Sequence, residues 1–518
     1  MKFGVDFGTT RIIVAAVDRG NFPLVSFETP DGVYDWFPSL AAVCATGETA
    51  ALKFGWDAWR AQGDRDWTIL RSLKRHLEDA GPRSLLSVGA REISVADLLG
   101  GLTSALRREL AEQFGEREPL EVMLGVPANA NSNQRFLTVD AFRRAGFHVL
   151  GLLNEPSAAA IEFSHRQKAK GRILVYDLGG GTFDASLVEV EGGTHTVVAC
   201  TGISNLGGDD FDLILAELAV GKDALYSLEL GEVFRLEEEC RRQKEALHPN
   251  SRKIVIDLDQ VREGLGQVTV SVADYYERCR PLLEESIRAT VHLADHQQGE
   301  GQSIDALYVT GGGSELPLVS RVLRGEFGRK VKRSEYTRSA TAIGLAIQAD
   351  ESSGYRLREV FTRNFGVWRE SDAGERMVFD TIFAHGTRLP APGEPPLMVT
   401  RAYHPAHNVG HFRYLEASAV GSDLQPEGDI TIWDEIQFPF DPALAAHATL
   451  EGCSIERSRA AEAERIEEQY SCDATGSVTV TIHNLTSNYV REYRLGRWSG
   501  KSAALKPGPR KRSKSASH

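Results

Sequence analysis

Two short segments of this chain share one pattern, and that repeat limits the fold more than any other feature. Residues 3–17 read FGVDFGTTRIIVAAV and residues 174–190 read LVYDLGGGTFDASLVEV. Each is an apolar strand ending in Asp, then a glycine-containing turn, then a second strand of alternating character. Asp6 and Gly8 correspond to Asp177 and Gly179 at a common offset of 171 residues. One glycine turn between strands carries little information. Two with the same Asp-x-Gly placement predict a duplicated domain folded as two similar lobes. Helical periodicity over 95–114 and 132–145, separated by the buried strand EVMLGVP, follows the first hairpin. Helices near 209–219, 232–247 and 274–293 follow the second. This alternation predicts an α/β architecture with a largely internal sheet. A third glycine cluster, Gly311, Gly312 and Gly313, follows the strand ALYVT. It leads through Ser314 and Pro317 into PLVSRVLRGEF, which places it at a helix entrance.

The pattern changes near residue 350. ADESSG opens a linker expected over 349–359. Beyond it, residues 360–440 and 468–496 show short alternating runs such as VTVTIHNL and EYRLG. They predict a separate β-sandwich, 360–498, of roughly 140 residues, with one helical segment at about 455–468. Residues 499–518 form a basic tail. Its last eighteen residues carry Lys501, Lys506, Arg510, Lys511, Arg512 and Lys514 and no acid, so the net charge of -13 leaves -19 on the other 500. An acidic body repels nucleic acid and anionic membranes, and neither is expected as a partner. The tail reads as a solvated, disordered end. With 42% hydrophobic and 25% charged residues in 518, the chain is globular and long enough for about three domains. No apolar run approaches the ~20 residues of a membrane helix. Asp6 interrupts the place where a secretion signal would be apolar. The six scattered cysteines include no C-x-x-C pair, so neither a disulfide scaffold nor a zinc site is expected. A cytoplasmic location follows as the expectation.

The chemistry concentrates in the turns. Backbone N–H groups at Gly8 and at Gly179–Gly181 are unobstructed by side chains, the form of an anion-binding nest. Two such turns facing each other would grip a chain of phosphates from both sides. Asp6 and Asp177 would then hold a magnesium ion through its waters. Thr9, Thr10 and Thr182 add hydroxyl donors, and Gly311–Gly313 with Ser314 offers a third anion-friendly surface, suited to the nucleoside end. Nucleotide binding is the reading these three turns support together, against an alternative of purely structural tight turns.

On these motifs the chain resembles the actin-like ATPases, and among them the 70-kDa heat-shock chaperones of the DnaK type. VDFGTT resembles the family's first phosphate loop and VYDLGGGTFDASLVEV its second. VPANANSNQR followed by AGFHVLGLLNEPSAAAIEF resembles the segment joining the lobes. LGGDDFD, WFPSLAAV and LYVTGGGSELPLV resemble further signature stretches. The resemblance covers about 1–348 and extends more weakly into 360–496, where IEEQYSCDATGSVTVTI is similar to the last strands of a peptide-binding sandwich. It implies a duplicated, two-lobed ATPase with ribonuclease-H-like lobes over 1–348. It also implies ATP or ADP with Mg2+, and K+ as an additional ion. The nucleotide would be held by Gly8, Thr9, Thr10, Arg11, Gly179, Gly180, Gly181, Thr182, Gly207, Gly208, Lys244, Gly311, Gly312, Gly313 and Ser314. It gives Lys74 the role of positioning or activating the attacking water, although Lys53 and Arg75 fit that pattern equally well. Glu155 would orient the water or help hold ions, or else simply cap the following helix. Thr182 would contact the terminal phosphate, with Asp184 supporting its loop, and Asp177 completes the catalytic set. Pro127 and Arg135 match positions that relay nucleotide state. The implied partners are unfolded client polypeptide, a J-domain co-chaperone and a nucleotide exchange factor.

The departures from the family are specific. Arg241, Glu245 and His248 stand where the family has an acid, an arginine and a serine. Glu315 replaces a second arginine that would stack on the base, and Arg338 replaces an acid near the cleft. The linker YRLREVFTRNF is charged where the family shows an acid and a leucine run, and no long helical lid follows the sandwich. Weak coupling of the two parts is therefore expected unless acids on the lobes receive the linker arginines. Two other readings stay open: a different actin-like ATPase or small-molecule kinase, and a nucleotide-binding regulatory module with little hydrolysis.

Overall fold

In the computed structural model, the described residues are 1–44, 51–64, 66–77, 80–81, 84–88, 91–115, 119–128, 130–296, 303–371, 376–391, 393–447, 450, 452–474 and 476–495. The basic tail expected over 499–518 lies outside them.

Lys2–Phe7 and Arg11–Ala16 pair antiparallel, with Phe3 opposite Ala16 and Phe7 opposite Ile12. Phe3, Val5 and Phe7 are buried, which fixes the register because a one-residue slip would turn them to the other face. Lys2–Phe7 pairs in parallel with Glu121–Val126, which pairs in parallel with His148–Asn154, while Phe37–Pro38 closes the opposite edge. The second sheet repeats the plan. Gly171–Leu178 pairs antiparallel with Phe183–Glu191 and in parallel with Ala306–Thr310. Thr194–Ile203 extends the antiparallel side and Val331–Arg333 the parallel side. The same strand order therefore surrounds both Asp-bearing strands.

The helices expected from periodicity form at Val95–Phe114, Ser132–Arg144, Gly208–Val220, Leu230–Glu245 and Val272–His296. Ser94 caps the first by accepting from the Asp97 N–H, and Asn131 with Gln134 forms a capping box on the second. Each sheet has its own apolar core. Between the sheets run the helices Glu155–Gln167 and Ala340–Ala349, both rich in alanine. They cross so closely that a Cβ on Gly344 would lie 1.8 Å from the Ala158 carbonyl oxygen, so only glycine fits there.

The expected linker is not a free connection. Glu351–Ser353 makes one short helical turn, and Arg356–Arg358 then adds a parallel strand beside Thr194–Ile203. Leu357 is buried among Met123, Leu153, Ala158, Val197 and Leu345, side chains drawn from both sheets and both crossing helices. Arg356 and Arg358 point to water on either side of it. These two arginines need no acid from the lobes to receive them, because strand alternation keeps them exposed. Arg363 instead approaches Glu416 at 3.8 Å within the carboxy-terminal part.

Residues 364–495 contain two four-stranded antiparallel sheets. Phe365, Val367, Tyr414 and Trp433 from one and Ile466, Tyr470, Val480 and Ile482 from the other share one core. The helix expected over 455–468 is a correction. Only Arg459–Glu462 is helical, and Ile466–Cys472 is a central strand between Leu397–Tyr403 and Val478–Asn484. The alternation Ile466, Glu468, Tyr470, Cys472 faces the core, and two-sided pairing outweighs the helix propensity of the Ala- and Glu-rich run before it. Among the described residues no disulfide joins the cysteines, and no helix is long and apolar enough to cross a membrane.

Candidate functional site

The two hairpin turns meet face to face. A Cβ on Gly180 would lie 2.5 Å from the Thr10 hydroxyl oxygen, and one on Gly181 would lie 2.7 Å from that of Thr9. The second turn is closed by the Gly179 N–H donating to the Thr182 carbonyl at 2.9 Å. Gly207–Asp209 lies against it, with the N–H groups of Gly208 and Asp209 donating to the carbonyls of Gly179 and Gly180. Gly311 packs behind it at φ +84°, where a Cβ would strike the Leu178 carbonyl and Asp177. Between these segments opens a cavity of about 120 Å3, lined among others by Asp6, Thr10, Lys74, Glu155, Asp177 and Thr182.

Four carboxylates gather here: Asp6, Glu155 and Asp177 line the cavity, and the buried Asp184 lies within electrostatic reach of Glu155 and Asp177. Lys74, buried on the short helix Leu73–His76, forms an ion pair with Glu155. Burial and then the Glu155 charge push Asp6 up to about 7, with Lys74 opposing. Asp184 is also pushed up to about 7 by burial and Glu155. Asp177 is raised well above the carboxylate range by burial and by its three acidic neighbours. Burial works against the charge on Lys74, but Glu155 and Asp6 more than compensate and raise it. Lys74 is therefore a held ammonium and cannot serve as a proton acceptor near neutral pH. Asp184 accepts from the Ala128 N–H at 2.8 Å, which ties the second turn to the segment after Pro127.

At the far end Lys244 donates to the Gly208 carbonyl at 2.7 Å and pairs with Asp212 at 2.6 Å. Arg11 reaches Glu245 across the cleft at 3.2 Å, and Arg338 links Glu245 to Glu315. Gly8, Thr9, Arg11, Gly179, Gly208, Gly312 and Gly313 also line the cavity. Ser314 is fully buried and donates its hydroxyl to the Gly311 carbonyl at 2.6 Å, away from the cavity. The structure also separates the three cations that the pattern left equivalent. Lys53 stacks over Trp67 at 4.0 Å, outside the cluster. Arg75 crosses to the second turn, donating to the Gly181 carbonyl and to Asp210 at 2.8 Å. Arg75, with Ser72 bound to Asp209 and Arg71 bound to Glu237 and Glu238, was not assigned from the sequence. The available signal was its adjacency to Lys74 and the acidic pair in LGGDDFD.

A repeated sheet plan, two opposed glycine turns and a buried acid cluster under them define a mixed α/β protein with a phosphate- and cation-compatible cleft. The sequence profile of the family described as Hsp70 protein matches residues 86–364, more than half of the chain. Similar curated proteins include the Chaperone protein HscA homolog of Bordetella petrii, 31% identical over 374 residues, which are 69% of this chain and 59% of that protein. The Chaperone protein HscA of Klebsiella pneumoniae is 32% identical over 67% of this chain and 57% of its own length. A heat shock protein of Pyricularia oryzae is 27% identical over 75% of this chain and 68% of its own length. The chain belongs to the Hsp70 family. It spans about three-fifths of the length of the HscA-type relatives it matches.

Proposed function

We propose that the chain is an ATP-dependent chaperone of the Hsp70 type that hydrolyses ATP slowly to regulate binding of unfolded polypeptide. In this reading the two similar sheets are the lobes of an actin-like ATPase, and the two carboxy-terminal sheets form a β-sandwich that holds the client. The observation that carries it is the acid cluster beneath two opposed glycine turns. Four carboxylates gather around one ammonium, and the raised proton affinities of Asp6, Asp177 and Asp184 mark the place a divalent cation would relieve. No three His, Cys, Asp or Glu side chains among the described residues converge to ligate an ion directly, so Asp6 and Asp177 would bind Mg2+ through its waters. The ion would supply charge neutralisation on the phosphates. Backbone N–H groups of both turns, with Thr9, Thr10 and Thr182, would hold the phosphate chain. Lys74, fixed by Glu155, would orient the attacking water in line with the terminal phosphate. Catalysis would then rest on positioning and electrostatics.

The client reading is supported by a cavity of about 760 Å3 where both carboxy-terminal sheets meet, lined in part by Trp368, Tyr403, Phe412 and Phe440. A J-domain co-chaperone, an exchange factor and a cytoplasmic location belong to the same proposal. A second reading, a nucleotide-binding module with little hydrolysis, is favoured by one observation: the base end carries Glu245 and Glu315 in place of arginines. Steady-state ATP hydrolysis with and without an unfolded polypeptide separates the two. Turnover that rises with polypeptide supports the chaperone, and tight ATP binding without turnover supports the module.

A further inference from the structure

Thr194–Ile203 would be the edge of its sheet if Arg356–Arg358 did not pair with it, and the residue at the centre of that pairing is a histidine. His195 stands opposite Leu357 on one side and opposite Val190 of Phe183–Glu191 on the other. It is fully buried. The Tyr355 ring, just ahead of the linker strand, has its centroid 5.8 Å from that of His195 and 5.5 Å from that of His165 on the helix Glu155–Gln167. Neither ring nitrogen of His195 meets a partner at hydrogen-bond geometry. Burying a neutral imidazole in this way costs free energy, and burying its cation would cost far more.

The ionisable groups around it are engaged elsewhere. Glu189 on the neighbouring strand pairs with Arg172 at 3.2 Å, and Glu191 is exposed. On the helix, Glu162 accepts from Tyr308, Arg166 reaches Glu335 at 2.7 Å, and His165 is exposed. Arg356 and Arg358 point to water, and Ala340–Ala349, which packs on Leu357, carries no titratable side chain. Among the described residues no charged side chain shifts His195. Burial pushes it down to about 4, against a weaker pull from the Gly193 backbone.

We propose that His195 makes docking of the linker strand proton-linked: the strand closes over the neutral imidazole, and acid releases it. The inference does not depend on the nucleotide reading. A protonated ring needs water, and Tyr355 and Leu357 stand in the way, so proton binding and docking compete. A histidine held below its ordinary 6.5 stabilises the docked form above that pH and withdraws the stabilisation as pH falls toward about 4. Glu359, in the same segment, acts in the opposite sense. Burial raises its proton affinity, so on its own it would make acid tighten the strand. Release would also free Asn154, which Glu359 holds next to Glu155.

The test is amide exchange of the full chain at pH 7 and pH 5, with each rate divided by that of an unstructured peptide at the same pH. The reporter is the Leu357 N–H, which donates to the Gln348 side chain at 3.1 Å. Amides of Gly171–Leu178, in the middle of the sheet, report global opening. Protection of Leu357 should fall about twentyfold, the ratio for a histidine at 6.5 when released and about 4 when docked, while Gly171–Leu178 holds. His195→Phe should abolish the fall. His195→Gln should abolish it too, with weaker docking at both pH values, and keeps a readout if the larger ring does not fit. His165→Gln should leave most of the fall in place. A fall that persists in both His195 variants, or that vanishes in His165→Gln, would overturn the proposal. So would equal loss at Gly171–Leu178, which marks global loosening, or protection of Leu357 that is unchanged or higher at pH 5 in the unaltered chain.

Discussion

Lys74 and the four acids around it set the chemistry available to the cleft. Asp6 has its proton affinity raised from 3.8 to about 7 by burial and Glu155. The folded chain therefore keeps this proton where the unfolded chain has lost it. The stabilisation is complete below pH 4 and is lost as pH rises through about 7. Asp6→Asn is accordingly expected to stabilise the nucleotide-free protein at pH 8, by roughly 1–3 kcal/mol, and to lose that advantage toward pH 5. Melting midpoints across that range check it, and a gain independent of pH would contradict the charge account. The same substitution should cost magnesium-dependent activity, since a group poised for a cation is a strain on the fold without it. The Asp residues and the glycines of this site were legible in the sequence because a turn demands particular residue types at fixed spacing. The pairing of Arg75 with Asp210 was not, because two charges 135 residues apart in the chain carry no sign of which partner each will meet.

Among the elements, the segment Arg356–Arg358 has the largest consequence for its size. Its single buried side chain, Leu357, contributes roughly 1.5–3 kcal/mol of burial. The next residue but one, Glu359, accepts from the Asn154 N–H at 2.7 Å and from the Asn154 amide at 2.6 Å. Asn154 precedes Glu155, and Arg135 donates to its side-chain oxygen at 2.7 Å. The strand is therefore bonded one residue away from the partner of Lys74. Glu359→Ala removes two acceptor contacts and leaves the buried Asn154 donors unsatisfied, at a cost of about 1–3 kcal/mol. The expected result is faster amide exchange and protease cleavage at 356–359 with the global melting midpoint little changed. Unaltered protection of Leu357 would refute the role of Glu359. The sequence suggested a linker here because ADESSG reads as a connection and helical periodicity ends there, while the charges of YRLREVFTRNF spoke against docking. It could not show the docking, because a three-residue strand is fixed by partners at 194–196 rather than by its own pattern. The failed helix at 455–468 has the same origin, as Ile466–Cys472 takes its form from strands on both sides.

At the scale of the whole molecule, the two amino-terminal sheets and the carboxy-terminal pair have separate apolar cores. The latter also carries an internal polar tie, with Arg369 bound to Asp380 at 2.7 Å and bidentately to the buried Glu468 at 2.6 and 3.1 Å. A fragment of residues 356–498 is expected to show a strand-dominated circular dichroism spectrum and its own melting transition. A helical spectrum would refute that division. The central claim, however, concerns the cleft, and it stands or falls on turnover. Steady-state hydrolysis of MgATP by the full chain is the most direct measurement, with Asp177→Ala and Lys74→Ala as companions. The account predicts slow but measurable turnover that falls by well over tenfold in each variant, a barrier increase on the order of 1.4 kcal/mol or more. Turnover unchanged in both variants would contradict it.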